Sequence, residues 1–114
     1  MGIVPNEGFF DFEAKYTEGT TRYEVPATTV SSEVQEKARR YAATAYRTLG
    51  LSGIARADFI VDEHGTPWFL EINTIPGMTA TSLSPMAASC VGLSFEDLVE
   101  RLLLNAKLHL TPAA

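Results

Sequence analysis

Residues 54–73, "IARADFIVDEHGTPWFLEIN", constrain this chain more than any other stretch. β-forming residues fill both ends, and Asp62-Glu63-His64-Gly65 between them is strong turn chemistry, so the segment must fold back as an antiparallel pair. Side chains alternate along a strand. Arg56 and Asp58 therefore share one face, and Phe69, Glu71 and Asn73 share one on the returning strand. A turn centred on His64-Gly65 sets Asp62 against Pro67. Counting back, Asp58 falls opposite Glu71 and Arg56 opposite Asn73. In that register four polar groups lie on one face of one hairpin, and a slip of one residue would separate them.

Like charges directly across a ladder destabilise it, so Asp58 and Glu71 need a cation between them. Arg56 can serve, which makes the group a salt-bridged polar cluster of purely structural meaning. A divalent metal serves equally. Asp, Glu and Asn offer only oxygen, which suits Mg²⁺ or Mn²⁺ and not zinc. A bridging carboxylate would let the site hold two ions, as phosphoryl-transfer sites do. Spacing alone leaves both readings open.

The strand runs straight into "NTIPGMTATSL". Gly77 after Pro76 fits a turn that needs positive φ and exposes backbone N–H groups. Ser82 precedes a helix start, where a hydroxyl and backbone amides together can receive a carboxylate. The plain reading of Thr79, Thr81, Ser82 and Ser84 is a polar loop with a helix cap.

Helices account for much of the rest. Ser32 with Gln35 makes a capping box. Val34, Ala38, Tyr41, Ala42, Ala45, Tyr46 and Leu49 recur at helical spacing, and Gly50 supplies the left-handed residue that ends the run. A short helix follows the Pro-Gly loop, with Ser84 as cap, Pro85 at its first position and Gly92 at its end. Ser94 caps the last helix, with Asp97 completing an acidic capping variant and Leu98, Val99, Leu102, Leu103 and Ala106 on the buried side. Residues 1–14 read as one or two strands, and "KYTEGTTRYEVPA" as a surface loop. The order is an α+β pattern with an antiparallel pair.

The 114 residues suffice for one small domain. A net charge of −5 argues against nucleic-acid and anionic-membrane surfaces. One cysteine, Cys90, excludes an internal disulfide framework and fits a reducing compartment. No segment has the length and apolarity of a signal peptide or a membrane span, so a soluble cytoplasmic protein is expected. His64 and His109 lack metal-ligand spacing and read as solvated. Cys90, Trp68 and the phenylalanines read as core, with Phe69 also placed to edge a nucleotide pocket.

The motifs R-x-D-F, L-E-x-N-T and P-G-M-T-x-x-S-L, in that order, with "FFDFEAKY" upstream, resemble the C-terminal part of the D-alanine–D-alanine ligases of the ATP-grasp superfamily. The resemblance runs from about Ile3 to the last helix. It implies an antiparallel sheet packed by helices, forming the C-terminal subdomain of an ATP-grasp fold. Residues 1–114 would then be a single partial domain, without the N-terminal substrate domain and the first ATP-grasp half.

The same resemblance implies residue roles. Asp58, Glu71 and Asn73 match the ligands of two Mg²⁺ or Mn²⁺ ions, with Glu71 bridging. Arg56 matches an arginine that steadies the transferred phosphoryl group. Lys15 matches a phosphate-contacting lysine, and Tyr16 a tyrosine on the loop closing over the site. Gly77 matches the N–H donor to the reacting oxyanion. Ser82 and Leu83 match the residues receiving the carboxylate of the second D-alanine, and Leu70 lies where the family lines the adenine pocket. Phe12 stands where a tyrosine is common. The implied activity joins two D-alanines through an acyl phosphate, with ATP as co-substrate, for peptidoglycan precursor synthesis. The isolated chain is expected to be inactive. The other reading is a non-catalytic metal- or nucleotide-binding remnant, or a homo-oligomer in which chains cover each other's exposed cleft surface.

Overall fold

Seven elements follow in chain order: β1 (Gly2–Pro5), β2 (Thr21–Glu24), α1 (Ser32–Thr48), β3 (Arg56–Val61), β4 (Pro67–Asn73), α2 (Leu83–Cys90) and α3 (Phe95–Leu104). The structure is a computed structural model and describes residues 1–5, 21–24 and 27–108. The strands form two antiparallel pairs, β1 with β2 and β3 with β4. Part of the expected surface loop is therefore strand β2, with Gly2 opposite Glu24 and Pro5 opposite Thr21. Its four residues, TRYE, are too few and too polar to show strand alternation on their own.

Asp62 organises the β3–β4 turn. Its carbonyl accepts the Gly65 N–H at 3.0 Å. Its Oδ1 accepts the backbone N–H groups of His64 (2.9 Å) and Thr66 (2.8 Å), and its Oδ2 accepts the Trp68 indole N–H at 2.9 Å. Gly65, at φ 77°, takes the left-handed position that the turn requires.

The hairpin register differs at its two ends. Near the turn Val61 pairs with Pro67, Ile60 with Trp68 and Phe59 with Phe69. Near the open end Asp58 pairs with Glu71, Ala57 with Ile72 and Arg56 with Asn73. A bulge at Leu70 absorbs the difference. The expected pairing of the four polar groups is present, but Asp62 does not face Pro67. Phe69 also leaves the face expected for it, because its ring meets that of Phe59 edge-on, with centroids 5.6 Å apart and planes at 76°. Ala57, Phe59 and Val61 then point toward α1, across a cavity of about 530 Å³ also lined by Val34, Ala38 and Ala42. Arg56, Asp58 and Ile60 alternate onto the opposite, open face.

Helix α1 starts one residue earlier than the capping box implied. Ser31 is its N-cap, its hydroxyl accepting the Val34 N–H. Gln35 instead donates its side-chain amide to the carbonyls of Ala27 (2.8 Å) and Val30 (3.1 Å), tying the incoming chain down. The end of α1 is as expected. Gly50 N–H reaches the Arg47 carbonyl and Leu51 N–H the Tyr46 carbonyl, the paired bonds that a left-handed glycine permits.

Helix α2 is capped at Ser82, and Pro85 is its third residue, not its first. Gly92, at φ 86°, closes it. Ser94 caps α3 as expected, accepting the Asp97 N–H at 3.1 Å. The side of α3 expected to be buried is mostly open: Leu98 is 8% exposed, but Val99 is 41% and Leu103 74%. Cys90, Trp68 and Phe69 are likewise exposed and are not core residues. Among the described residues only Ala27 and Leu98 are buried hydrophobics of the core, with Pro67, Pro76 and Pro85 also buried.

Candidate functional site

The open face of the hairpin carries the four polar groups. Arg56 and Asp58, two residues apart on β3, form a two-pronged pair: Nε to Oδ1 at 2.8 Å and a terminal guanidinium nitrogen to Oδ2 at 3.1 Å. Both side chains are about a third exposed, at 30% and 33%. The hydrogen bond to Asp58 holds the Arg56 guanidinium above its ordinary pKa against the opposing effect of burial. The charges of Asp58 and Glu71 add to it. Glu71 projects beside this pair from β4. Asn73, opposite Arg56, accepts the Ile75 N–H on its Oδ1 at 2.9 Å, which anchors the chain as it leaves the strand.

These residues fit a hard divalent cation by the chemistry of their donors. Asp58, Glu71 and Asn73 present only oxygens on one face of one hairpin, and each carboxylate or amide oxygen keeps a lone pair beyond its present hydrogen bond. Among the described residues no three Asp, Glu, His or Cys side chains converge. The set is thus two carboxylates and one amide, with Arg56 neutralising part of their charge.

The following loop folds around one hydroxyl. Ser82 Oγ accepts the Thr79 N–H at 2.9 Å and shares a second hydrogen bond, at 2.7 Å, with the Thr79 hydroxyl. It makes no capping bond to its own helix. Pro85 occupies the third helical position and has no N–H to give, which leaves the Ser84 N–H as the one usual capping donor, and Ser82 Oγ bonds Thr79 instead. Gly77 is needed for a different reason from the one expected. Its φ is not positive. Instead, a Cβ there would stand 3.0 Å from Ser82 Oγ.

One space joins the hairpin to the start of α2, although Glu71, Asn73, Gly77 and Ser82 do not line it. A cavity of about 330 Å³ lies between the start of β3 and the start of α2, lined by Arg56, Asp58, Leu83 and Ser84, with Ile54 and Ala87 behind them. Leu70, the bulge residue, projects an exposed side chain farther along the hairpin. Lys15 and Tyr16 lie outside the described residues, as do Phe12 and His109. Thr79 was indistinguishable in the sequence from an ordinary loop threonine. The signal that bears on it is Pro85, which denies Ser82 one of its two usual capping partners.

An antiparallel hairpin bearing acid and amide oxygens, backed by helices and continued by a hydroxyl-lined loop, is the α+β arrangement of the C-terminal part of an ATP-grasp ligase. Residues 1–104 match the family described as "D-ala D-ala ligase C-terminus". The chain belongs to that family. It is 49% identical over 106 residues to the D-alanine–D-alanine ligase of Magnetococcus marinus, covering 93% of this chain and 34% of that one. With the D-alanine–D-alanine ligase of Anaeromyxobacter dehalogenans it shares 52% identity over the same length and coverage. The chain thus spans about a third of the length of these relatives. Among solved structures, the Bacillus anthracis D-alanine–D-alanine ligase complexed with ATP superposes with a TM-score of 0.71 at 32% identity, covering 90% of this chain and 33% of that one. The VanG D-Ala:D-Ser ligase from Enterococcus faecalis gives 0.70 at 36%, covering 89% and 29%.

Proposed function

We propose that residues 1–114 form the C-terminal half of the ATP-grasp domain of an ATP-dependent D-alanine–D-alanine ligase, acting in the cytoplasm in peptidoglycan precursor synthesis. The observation that supports this reading is the one polar face of the hairpin that carries Arg56, Asp58, Glu71 and Asn73, with a cavity leading from Arg56 and Asp58 to Leu83 and Ser84 at the start of α2.

The reaction has two steps. A carboxylate oxygen of the first D-alanine attacks the γ-phosphorus of ATP, ADP leaves, and an acyl phosphate results. The amine of the second D-alanine then attacks the acyl carbon, loses a proton, and phosphate departs with its bonding electrons. Asp58, Glu71 and Asn73 would hold two Mg²⁺ or Mn²⁺ ions, the Glu71 carboxylate contributing to both. When bound, the ions supply charge neutralisation for the ATP phosphates.

Arg56 would offset charge on the phosphoryl group as it moves. The Gly77 N–H donates to the oxyanion formed at the acyl carbon. The Ser82 hydroxyl and the Leu83 N–H receive the carboxylate of the second D-alanine. Lys15 contacts phosphate, Tyr16 closes over the site, and Leu70 borders the adenine.

This division of labour leaves the isolated chain without turnover. The test is phosphate release with ATP, Mg²⁺ and D-alanine. One sample is the chain alone. The other is the Magnetococcus marinus ligase carrying this chain in place of its matching segment. The chimera should release phosphate only with D-alanine present and lose that release with Glu71→Gln, whereas the chain alone should release none. Glu71-dependent release by the chain alone would sink the half-site reading.

A second reading has its own support in the exposed apolar side chains of Ile60, Trp68, Leu103 and Leu104. Such surface favours self-association. A monomeric elution volume in gel filtration across a wide concentration range would remove it.

A further inference from the structure

We propose that Thr79 is a positioning residue that makes the Ser82 hydroxyl an obligate hydrogen-bond donor toward a carboxylate; this rests on the reading that Ser82 receives the carboxylate of the second amino acid.

A serine hydroxyl has two acceptor lone pairs and one proton. In most helix caps one lone pair takes an N–H of the first turn. Ser82 does not use its oxygen that way: Pro85 removes one of the two first-turn donors, and no capping bond forms to the other, the Ser84 N–H. Thr79 takes the lone pairs instead. Its N–H fills one at 2.9 Å, and its hydroxyl, at 2.7 Å, is placed to fill the other. With both filled, the Ser82 proton is the only group left to offer, and it can go only to an acceptor. An anion placed there selects this arrangement over the reverse one, in which Ser82 would donate to Thr79. Gly77 completes the device, since any side chain at that position would crowd Ser82 Oγ. The pair therefore favours an acceptor, and a charged one most: a carboxylate takes the proton in a charge-assisted hydrogen bond, and a neutral amide oxygen takes it more weakly.

The test is an NMR titration of the full ¹⁵N-labelled chain with D-alanine and with D-alaninamide, following the Leu83 and Ser84 amides. Thr79→Val keeps the backbone N–H and the shape but removes the hydroxyl. It should weaken D-alanine about fivefold, the effect of one hydrogen bond lost at an exposed site, and weaken D-alaninamide clearly less. Thr79→Ser should restore the unaltered affinity, which a merely structural contact of the threonine methyl would not allow. Ser82→Ala separates the two levels of the argument. If Ser82→Ala weakens D-alanine but Thr79→Val does not, the positioning role is wrong and the carboxylate reading stands. If Ser82→Ala changes nothing, or the unaltered chain shows no saturable shift, the carboxylate reading fails and the proposal falls with it.

Discussion

Asp58 and Glu71 stand directly across from each other on β3 and β4, and the Arg56 guanidinium is clasped to only one of them. Glu71 is exposed and stands outside the Arg56–Asp58 hydrogen bonds. Removing the Glu71 charge should therefore change folding stability by no more than about 0.5 kcal/mol. Glu71→Gln should instead show itself in cation binding. Urea denaturation with and without Mn²⁺ checks both: equal midpoints without the ion, and loss of the Mn²⁺-induced rise in the variant.

Arg56→Ala should behave in the opposite way. It leaves the two carboxylates facing each other unpaired, costing up to about 1 kcal/mol at this partly exposed position after solvent screening. Millimolar Mg²⁺ should restore more stability to this variant than to the unaltered chain. An equal response in both proteins would count against a cation at this face.

The Asp62 carboxyl titrates below the usual aspartate range. The Trp68 indole N–H contributes most, then the N–H of Thr66 and that of His64. A depressed folded pKa means stability that is present above the unfolded value, near 4, and is lost as pH falls through the folded one. The chain has one tryptophan, so its fluorescence reports this turn directly. Acidification should move the Trp68 emission, and Asp62→Asn should abolish that acid transition.

Packing around Leu98 holds α3 in place. Leu98→Ala should cost about 2–4 kcal/mol, as truncations of buried leucines do. Leu103→Ala on the same helix, with its side chain 74% exposed, should stay within about 0.5 kcal/mol. Thermal denaturation of the two variants gives the comparison. Similar losses in both would mean that α3 is covered in solution.

Gly77→Ala should fold, because the backbone there needs no left-handed conformation. The added methyl should push Ser82 Oγ off Thr79, which amide exchange at Thr79 would register as faster. Unchanged exchange would show that the loop yields elsewhere.

Local chemistry was most legible in the sequence where one residue dominates it. Asp62 with Gly65 made the turn readable, Gly50 and Gly92 made two helix ends readable, and the spacing of Arg56, Asp58, Glu71 and Asn73 made the polar face readable. Neighbouring candidates blurred the helix starts: Ser31 beside Ser32, and Ser82 two residues before Ser84. Strand β2 was missed because pairing with β1, not its own alternation, makes it a strand. The α3 stripe misled for another reason, since an apolar pattern shows what a helix offers and not what covers it. The register was half right. Counting from the turn cannot see an inserted residue, although Phe69 and Ile72, apolar and three apart where alternation would give two, were the trace of one.

That inserted residue decides where the hairpin tolerates a gap. Strip Leu70 out, and Phe69 opposite Phe59 is followed directly by Glu71 opposite Asp58, so plain alternation keeps Ile72 toward α1 and leaves Glu71 and Asn73 on the open face. Loss of Ile72 instead would swing Asn73 beneath α1 and hide a ligand candidate without altering it. Lineages carrying this segment should be free to vary in length at position 70 but keep the two-residue step from Glu71 to Asn73.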